Sequence, residues 1–224
     1  MEPSQGVLTR TRLKAAAAAA ELARLDILLS IAPCMAESRF GEEVGCLVLL
    51  SRAFYSDTQL WGAFKEHQGP KGRTRLMYAA RKGNVARVRF LLDRGARMEV
   101  VDSDGFNVLM IASFVGSLEV ARLLMVKGAN VSAARINDGM TALMLASEQG
   151  HLEIAKLLVE RGANVNAART DDGWTALMWA AQEGHLEVVR LLLSSGADKA
   201  ALNHAGGTAH SLCAAHPAIR ALLA

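Results

Sequence analysis

Apolar residues in the C-terminal two thirds of the chain fall into pairs of short helical stripes set between glycines. In "TALMWAAQEG", Leu177, Ala180, Ala181 and Gly184 share one face; in the following "HLEVVRLLLSSGA", Val188, Leu191 and Leu192 do. Two short amphipathic helices with a break at Gly184 are predicted, and the small Ala180 and Ala181 allow their axes to approach closely. Ser117 and Asn84 stand where a second helix begins and are placed to cap it. Glu119, Glu153 and Glu187 fall in that helix's first turn, where the helix dipole favours an anion. Gly162 and Gly196 suit the left-handed position after its last turn. Asp-Gly pairs at Asp104-Gly105, Asp138-Gly139 and Asp172-Gly173 mark tight turns leading into the next pair.

This arrangement repeats. Turn glycines stand at Gly72, Gly105, Gly139, Gly173 and Gly206, spaced 33, 34, 34 and 33 residues apart. A second set, Gly95, Gly128, Gly162 and Gly196, follows the first at a constant offset of 23. Two combs locked in phase define a repeat unit that cannot bury its apolar face alone and must stack on its neighbours. The expected units are about 72–102, 103–135, 136–169 and 170–203, with a shortened cap at 204–224.

"DGMTALMLASEQGHLEIAKLLVERGANVNA" and "DGWTALMWAAQEGHLEVVRLLLSSGAD" resemble ankyrin repeats. The resemblance covers about residues 72–224 and implies an all-α solenoid of helix–turn–helix repeats with short β-turn tips and a helical N-terminal cap. It also implies a non-enzymatic scaffold that binds a protein segment along the groove lined by first helices and turn tips. The family's "TPLH" reads "TALM" here, at Thr141–Met144 and Thr175–Met178. The family's histidine ties neighbouring turns by hydrogen bonds, which Met144 and Met178 cannot do.

Residues 1–71 lack the comb. Leu13–Ile31 reads as helix up to Pro33, Val44–Phe54 and Thr58–Lys65 as two more, and "HQGPKGR" as a linker. Arg10, Arg12 and Lys14 before Ala15–Ala20 superficially suggest a targeting peptide, but Glu21, Arg24 and Asp26 follow at once and a helix is preferred. The stretch 21–65 also resembles a degenerate F-box, through Leu25, Ile27, Leu28, Leu29, Ile31, Leu47, Leu49, Leu50, Ser51, Arg52, Phe54 and Leu60-Trp61. Its Leu-Pro opening is absent. That resemblance implies the alternative function, a substrate receptor docking on the adaptor of a cullin-type ubiquitin ligase; the plainer expectation is a cap shielding the first repeat's apolar edge.

Composition adds bounds. Hydrophobic residues make up 51%, which excludes a disordered chain, and the net charge of +3 is too small to imply a nucleic-acid partner. Apolar runs such as Cys46–Leu50 are far too short for a bilayer. Three scattered cysteines, Cys34, Cys46 and Cys213, suggest reduced thiols and a cytoplasmic or nuclear setting. His204, His210, Cys213 and His216 lack a standard metal spacing, and His151 and His185 read as local hydrogen-bonding groups. Asp171 and Asp172 read as a solvated turn. No nucleophile, base and oxyanion site assembles, so neither catalysis, cofactor nor metal is expected.

Helical geometry places the candidate partner contacts. Tyr78, Ile111, Leu145 and Trp179 lie off the core face of the first helices; Arg81, Lys82, Phe114, Val115, Glu148, Gln149, Gln182 and Glu183 lie near their ends. Arg73, Phe106, Met140 and Trp174 stand at the turn tips. Gly72–Asp102 holds eight Lys/Arg against three Asp/Glu, whereas residues 103–224 hold nine against eleven. The groove therefore runs from basic through apolar to acidic, and the expected partner carries acidic residues at one end and a hydrophobic anchor in the middle. Trp174 is ranked ahead of Trp179 as a contact, with Phe114 a sharper signal because such a position is ordinarily polar.

Overall fold

First helices open on a threonine or asparagine whose side chain accepts a backbone N–H three residues on: Thr74 from Met77, Asn107 from Met110, Thr141 from Met144, Thr175 from Met178 and Thr208 from Ser211. That bond satisfies one of the N–H groups a helix start leaves without an intrahelical partner. The computed structural model describes residues 70–224, within a unit spanning Gly62–Ala224. After a 3-10 turn at Pro70–Gly72 come α1 (Arg75–Arg81), α2 (Val85–Asp93), α3 (Val108–Val115), α4 (Leu118–Val126), α5 (Ala142–Glu148), α6 (Leu152–Glu160), α7 (Ala176–Glu183), α8 (Leu186–Ser194), α9 (Ala209–Leu212) and α10 (Pro217–Leu223). The helices expected in residues 1–69, including the F-box-like stretch 21–65, lie outside the described residues.

Odd-numbered helices α1 to α9 stack side by side in one row; the even-numbered helices form a second row behind them. Among the described residues, extended pairing is limited to two single bridges at the tips, Ala134 with Thr141 and Ala168 with Thr175. The architecture is an all-α solenoid.

The first row is buried almost all round. Val108–Ser113 of α3 and Ala142–Ser147 of α5 are buried without exception. Each such helix meets its own second helix and a first-row neighbour on either side. That corrects the one-face reading of these helices. Ile111 is 8% exposed and Leu145 2%, because the side of the helix that looks outward within one repeat faces the next repeat in the stack. Each such side chain contributes about 1.5–3 kcal/mol by leaving water.

The second helices keep a narrower apolar stripe, Val188, Val189 and Leu192 in α8. Asn84 caps α2 as expected, accepting from Arg87 N at 2.9 Å. Ser117 makes no capping bond; its hydroxyl donates instead to the Ala80 carbonyl of the preceding repeat at 3.5 Å. His151 and His185 occupy the same position and also reach backwards. Nε2 of His151 lies 3.2 Å from the Phe114 carbonyl, and Nε2 of His185 lies 2.9 Å from that of Glu148. His216 repeats the contact on Gln182 at 3.1 Å. These histidines therefore join repeats, where a local role was expected. Met144 and Met178 are buried in the stack, so the junction bond absent from "TALM" is supplied one helix later.

Candidate protein-interaction face

The imidazole contacts fix which positions of neighbouring repeats lie abreast: Phe114, Glu148 and Gln182 each offer their carbonyl to the next repeat. Along this line of first-helix ends, side chains change from Arg81 and Lys82 to Phe114 and Val115, then Glu148 and Gln149, then Gln182 and Glu183. Arg81, Lys82, Gln149, Gln182 and Glu183 are exposed, and Glu148 is half-buried. Phe114 is 46% exposed and Val115 41%, side by side at the end of α3. Tyr78, in the middle of α1, is also exposed. The structure thus brings Arg81, Lys82, Phe114, Glu148 and Glu183 onto one edge.

The turn tips are arranged differently. Arg73 is held inward by Asp102, its Nε 2.9 Å from a carboxylate whose side chain is wholly buried. That hydrogen bond raises the Arg73 pKa further and fixes the guanidinium as part of the turn. Phe106 is half-buried beneath Arg135, whose guanidinium carbon lies 4.7 Å from the ring centroid. Met140 does not project from its tip. It is 6% exposed, because its backbone closes the turn: Arg135 N donates to Met140 O at 2.8 Å and Met140 N to Asp138 Oδ1 at 3.1 Å.

Trp174 and Trp179 are both half-buried and lean on each other, with ring centroids 4.5 Å apart and planes at 45°. A tilted pair at this distance contributes about 0.5–1.5 kcal/mol beyond the area it buries. Trp174 is therefore partly a packing residue. Arg169 stands 5.8 Å from the Trp179 ring, and among the described residues the indole N–H of Trp179 has no hydrogen-bond acceptor.

Beneath these rings lies an ion-pair cluster that repeat spacing made visible in sequence, since Arg135 and Arg169, like Asp138 and Asp172, are 34 residues apart. Arg135 grips Asp138 through both guanidinium arms, with Nε at 2.7 Å. Arg169 reaches Asp138 at 3.2 Å, Asp171 at 2.6 Å and Asp172 at 3.2 Å. Asp171 and Asp172 are thus ion-paired, where a merely solvated turn was expected. The Arg135 hydrogen bond holds Asp138 below the usual carboxylate range, against the opposing effect of burial. Glu148 shifts the other way: burial raises it, and the like charge of Glu183 raises it further.

At the C-terminal end, His204 Nδ1 lies 3.0 Å from the Asp171 carbonyl, and the Cys213 thiol donates to His210 O at 3.2 Å. Among the described residues no helix is long and apolar enough to cross a membrane.

A two-row stack of paired helices with left-handed glycines at repeat spacing is matched by the family model "Ankyrin repeats (3 copies)" over residues 46–135 and 132–203. The chain belongs to the ankyrin repeat family. The match begins at residue 46, ahead of the expected start of the repeats near residue 72. Ankyrin repeat domain-containing protein 29 of Homo sapiens is 38% identical over 59 residues, 26% of this chain and 20% of that protein. Notch-regulated ankyrin repeat-containing protein A of Danio rerio is 43% identical over 67 residues, 30% of this chain and 60% of that protein; its Homo sapiens counterpart is 44% identical over the same length. The chain spans from a fifth to three fifths of these relatives' length. Ankyrin repeats are, as a family, interaction domains.

Proposed function

We propose that the edge formed by the first-helix ends binds a segment of a protein partner, with Phe114 and Val115 as the apolar seat. The observation that carries this reading is the exposure of that pair. α3 is otherwise buried from Val108 to Ser113, yet its last two residues are large, apolar and open to water. Nothing in the stack requires an aromatic ring there: the equivalent residues are Arg81, Glu148 and Gln182. A buried aromatic anchor flanked by charged groups is the usual centre of a protein interface. Arg81 and Lys82 on one side favour a partner with acidic residues at that end. The ligase-adaptor reading rests on residues 21–65, outside the described residues, and is not carried further.

The test is affinity capture by the full chain and by its Phe114→Ala variant, with melting temperatures measured in parallel. Burying the exposed part of a phenylalanine contributes about 1–2 kcal/mol, or roughly tenfold in affinity. A captured protein should bind Phe114→Ala about tenfold more weakly while the melting temperature stays within a few degrees. A variant that melts much lower yet binds its partner unchanged would show Phe114 to be a packing residue and sink the proposal.

A further inference from the structure

The carboxylates at the ends of α5 and α7 break a local rule. A helix C-terminus carries partial negative charge, so lysine and arginine stabilise it and aspartate and glutamate destabilise it. α1 obeys, ending on Arg81 with Lys82 at its cap, whereas α5 ends on Glu148 and α7 on Glu183. These two helices are neighbours in the first row. Glu148 thus bears three costs together: a helix end of like sign, partial burial, and a second carboxylate on the adjacent helix. Arg169 offsets them only in part, because its guanidinium is also shared among Asp138, Asp171 and Asp172.

Trp179 stands one turn before Glu183 on α7 and so shares its side of the helix. Its ring leans on Trp174, and its indole N–H has no partner among the described residues. Aromatic faces attract cations, and Arg169 already stands 5.8 Å from this ring. The stack therefore offers surplus negative charge beside an aromatic wall at one end and surplus positive charge at the other.

We infer that the partner segment lies along this edge with its acidic residues over Arg81 and Lys82, an apolar residue on Phe114 and Val115, and an arginine or lysine seated between Glu148 and Glu183 beside Trp179. The inference rests on the binding edge proposed above and adds the cationic end and the spacing. Neighbouring helices pack about 9 Å apart, so the apolar seat lies about 9 Å from α1 and about 14 Å from the midpoint between α5 and α7. At about 3.3 Å per extended residue, roughly three residues separate acid from anchor and roughly four separate anchor from cation.

The test is selection of random twelve-residue displayed peptides on the full chain. Selected peptides are then synthesised and titrated against the wild type, Phe114→Ala and the double variant Glu148→Gln/Glu183→Gln. Peptides should show acidic, apolar and basic positions in that order and spacing. The double variant should bind them about tenfold more weakly, yet bind a peptide with its basic residue replaced by glutamine as well as the wild type does. Binding that depends on Phe114 but ignores both glutamine substitutions overturns the cationic seat and leaves the edge intact. Peptides indifferent to Phe114, or a selection that enriches none, overturn the edge and this inference with it.

Discussion

Gly150 and Gly162 offer matched substitutions that isolate one joint of the stack. Both follow a helix end with positive φ, 72° and 83°. Alanine at either position meets the same left-handed backbone penalty of about 1–2 kcal/mol. Their surroundings differ. A Cβ on Gly162 would have nothing within 4 Å, whereas one on Gly150 would stand 2.5 Å from the His185 ring. That ring must move, and with it goes the 2.9 Å contact to the Glu148 carbonyl, a bond of about 1 kcal/mol, together with the packing around it. Gly162→Ala should therefore cost about 1–2 kcal/mol and Gly150→Ala about 2–4. Urea unfolding followed by circular dichroism reads the difference, provided the slopes agree and only the midpoints move. Adding His185→Ala to Gly150→Ala should cost little further, because the ring is already displaced. Equal losses for Gly150→Ala and Gly162→Ala would refute the idea that the imidazole is wedged over that glycine.

Two carboxylates should answer to pH in opposite senses. Asp138 titrates lower in the folded chain than in the unfolded one, so its stabilisation is present above about pH 4 and is lost as pH falls through the folded value. Asp138→Asn should cost about 2 kcal/mol at pH 7 and visibly less at pH 3, by urea unfolding at each pH; a gap independent of pH would contradict the ion-pair account. Glu148 titrates higher in the folded chain, so the fold binds its proton more tightly and loses stability as pH rises above about 4.5. Glu148→Gln should raise the melting temperature at pH 7 by the equivalent of less than about 1 kcal/mol and leave it unchanged near pH 4; a lower melting temperature at pH 7 would show the carboxylate to be stabilising.

The repeat itself was legible because its glycines are backbone requirements, and a backbone requirement at fixed spacing survives any change of side chain. What a helix wheel could not show was the third direction, along the stack. Ile111 and Leu145 sit off the core face of their own repeat and are buried by the next one. Met140 was misplaced for a related reason: Asp-Gly spacing finds a turn but not whether the following side chain folds under it. The histidines hold one position in successive repeats, and no single repeat contains the carbonyl they reach. Phe114 was legible, since an aromatic where sister repeats carry arginine, glutamate and glutamine is anomalous without any coordinates. Trp174 was half legible: its departure from Met140 was plain, its contact with Trp179 was not.

Ser117 has a consequence for how the stack responds to salt. Where the later joints carry an imidazole, the joint between the first two repeats has a hydroxyl at 3.5 Å, two exposed ion pairs, Lys127 with Asp93 at 2.7 Å and Lys71 with Asp104 at 3.4 Å, and the buried pair of Arg73 with Asp102 at 2.9 Å. Dissolved electrolyte screens the exposed pairs more than the buried one. Ionic strength therefore weakens part of what holds this joint. The repeat at this joint is the basic one that bears Arg81 and Lys82, so the same electrolyte that would weaken its hold on the proposed acidic segment also weakens part of its hold on the stack.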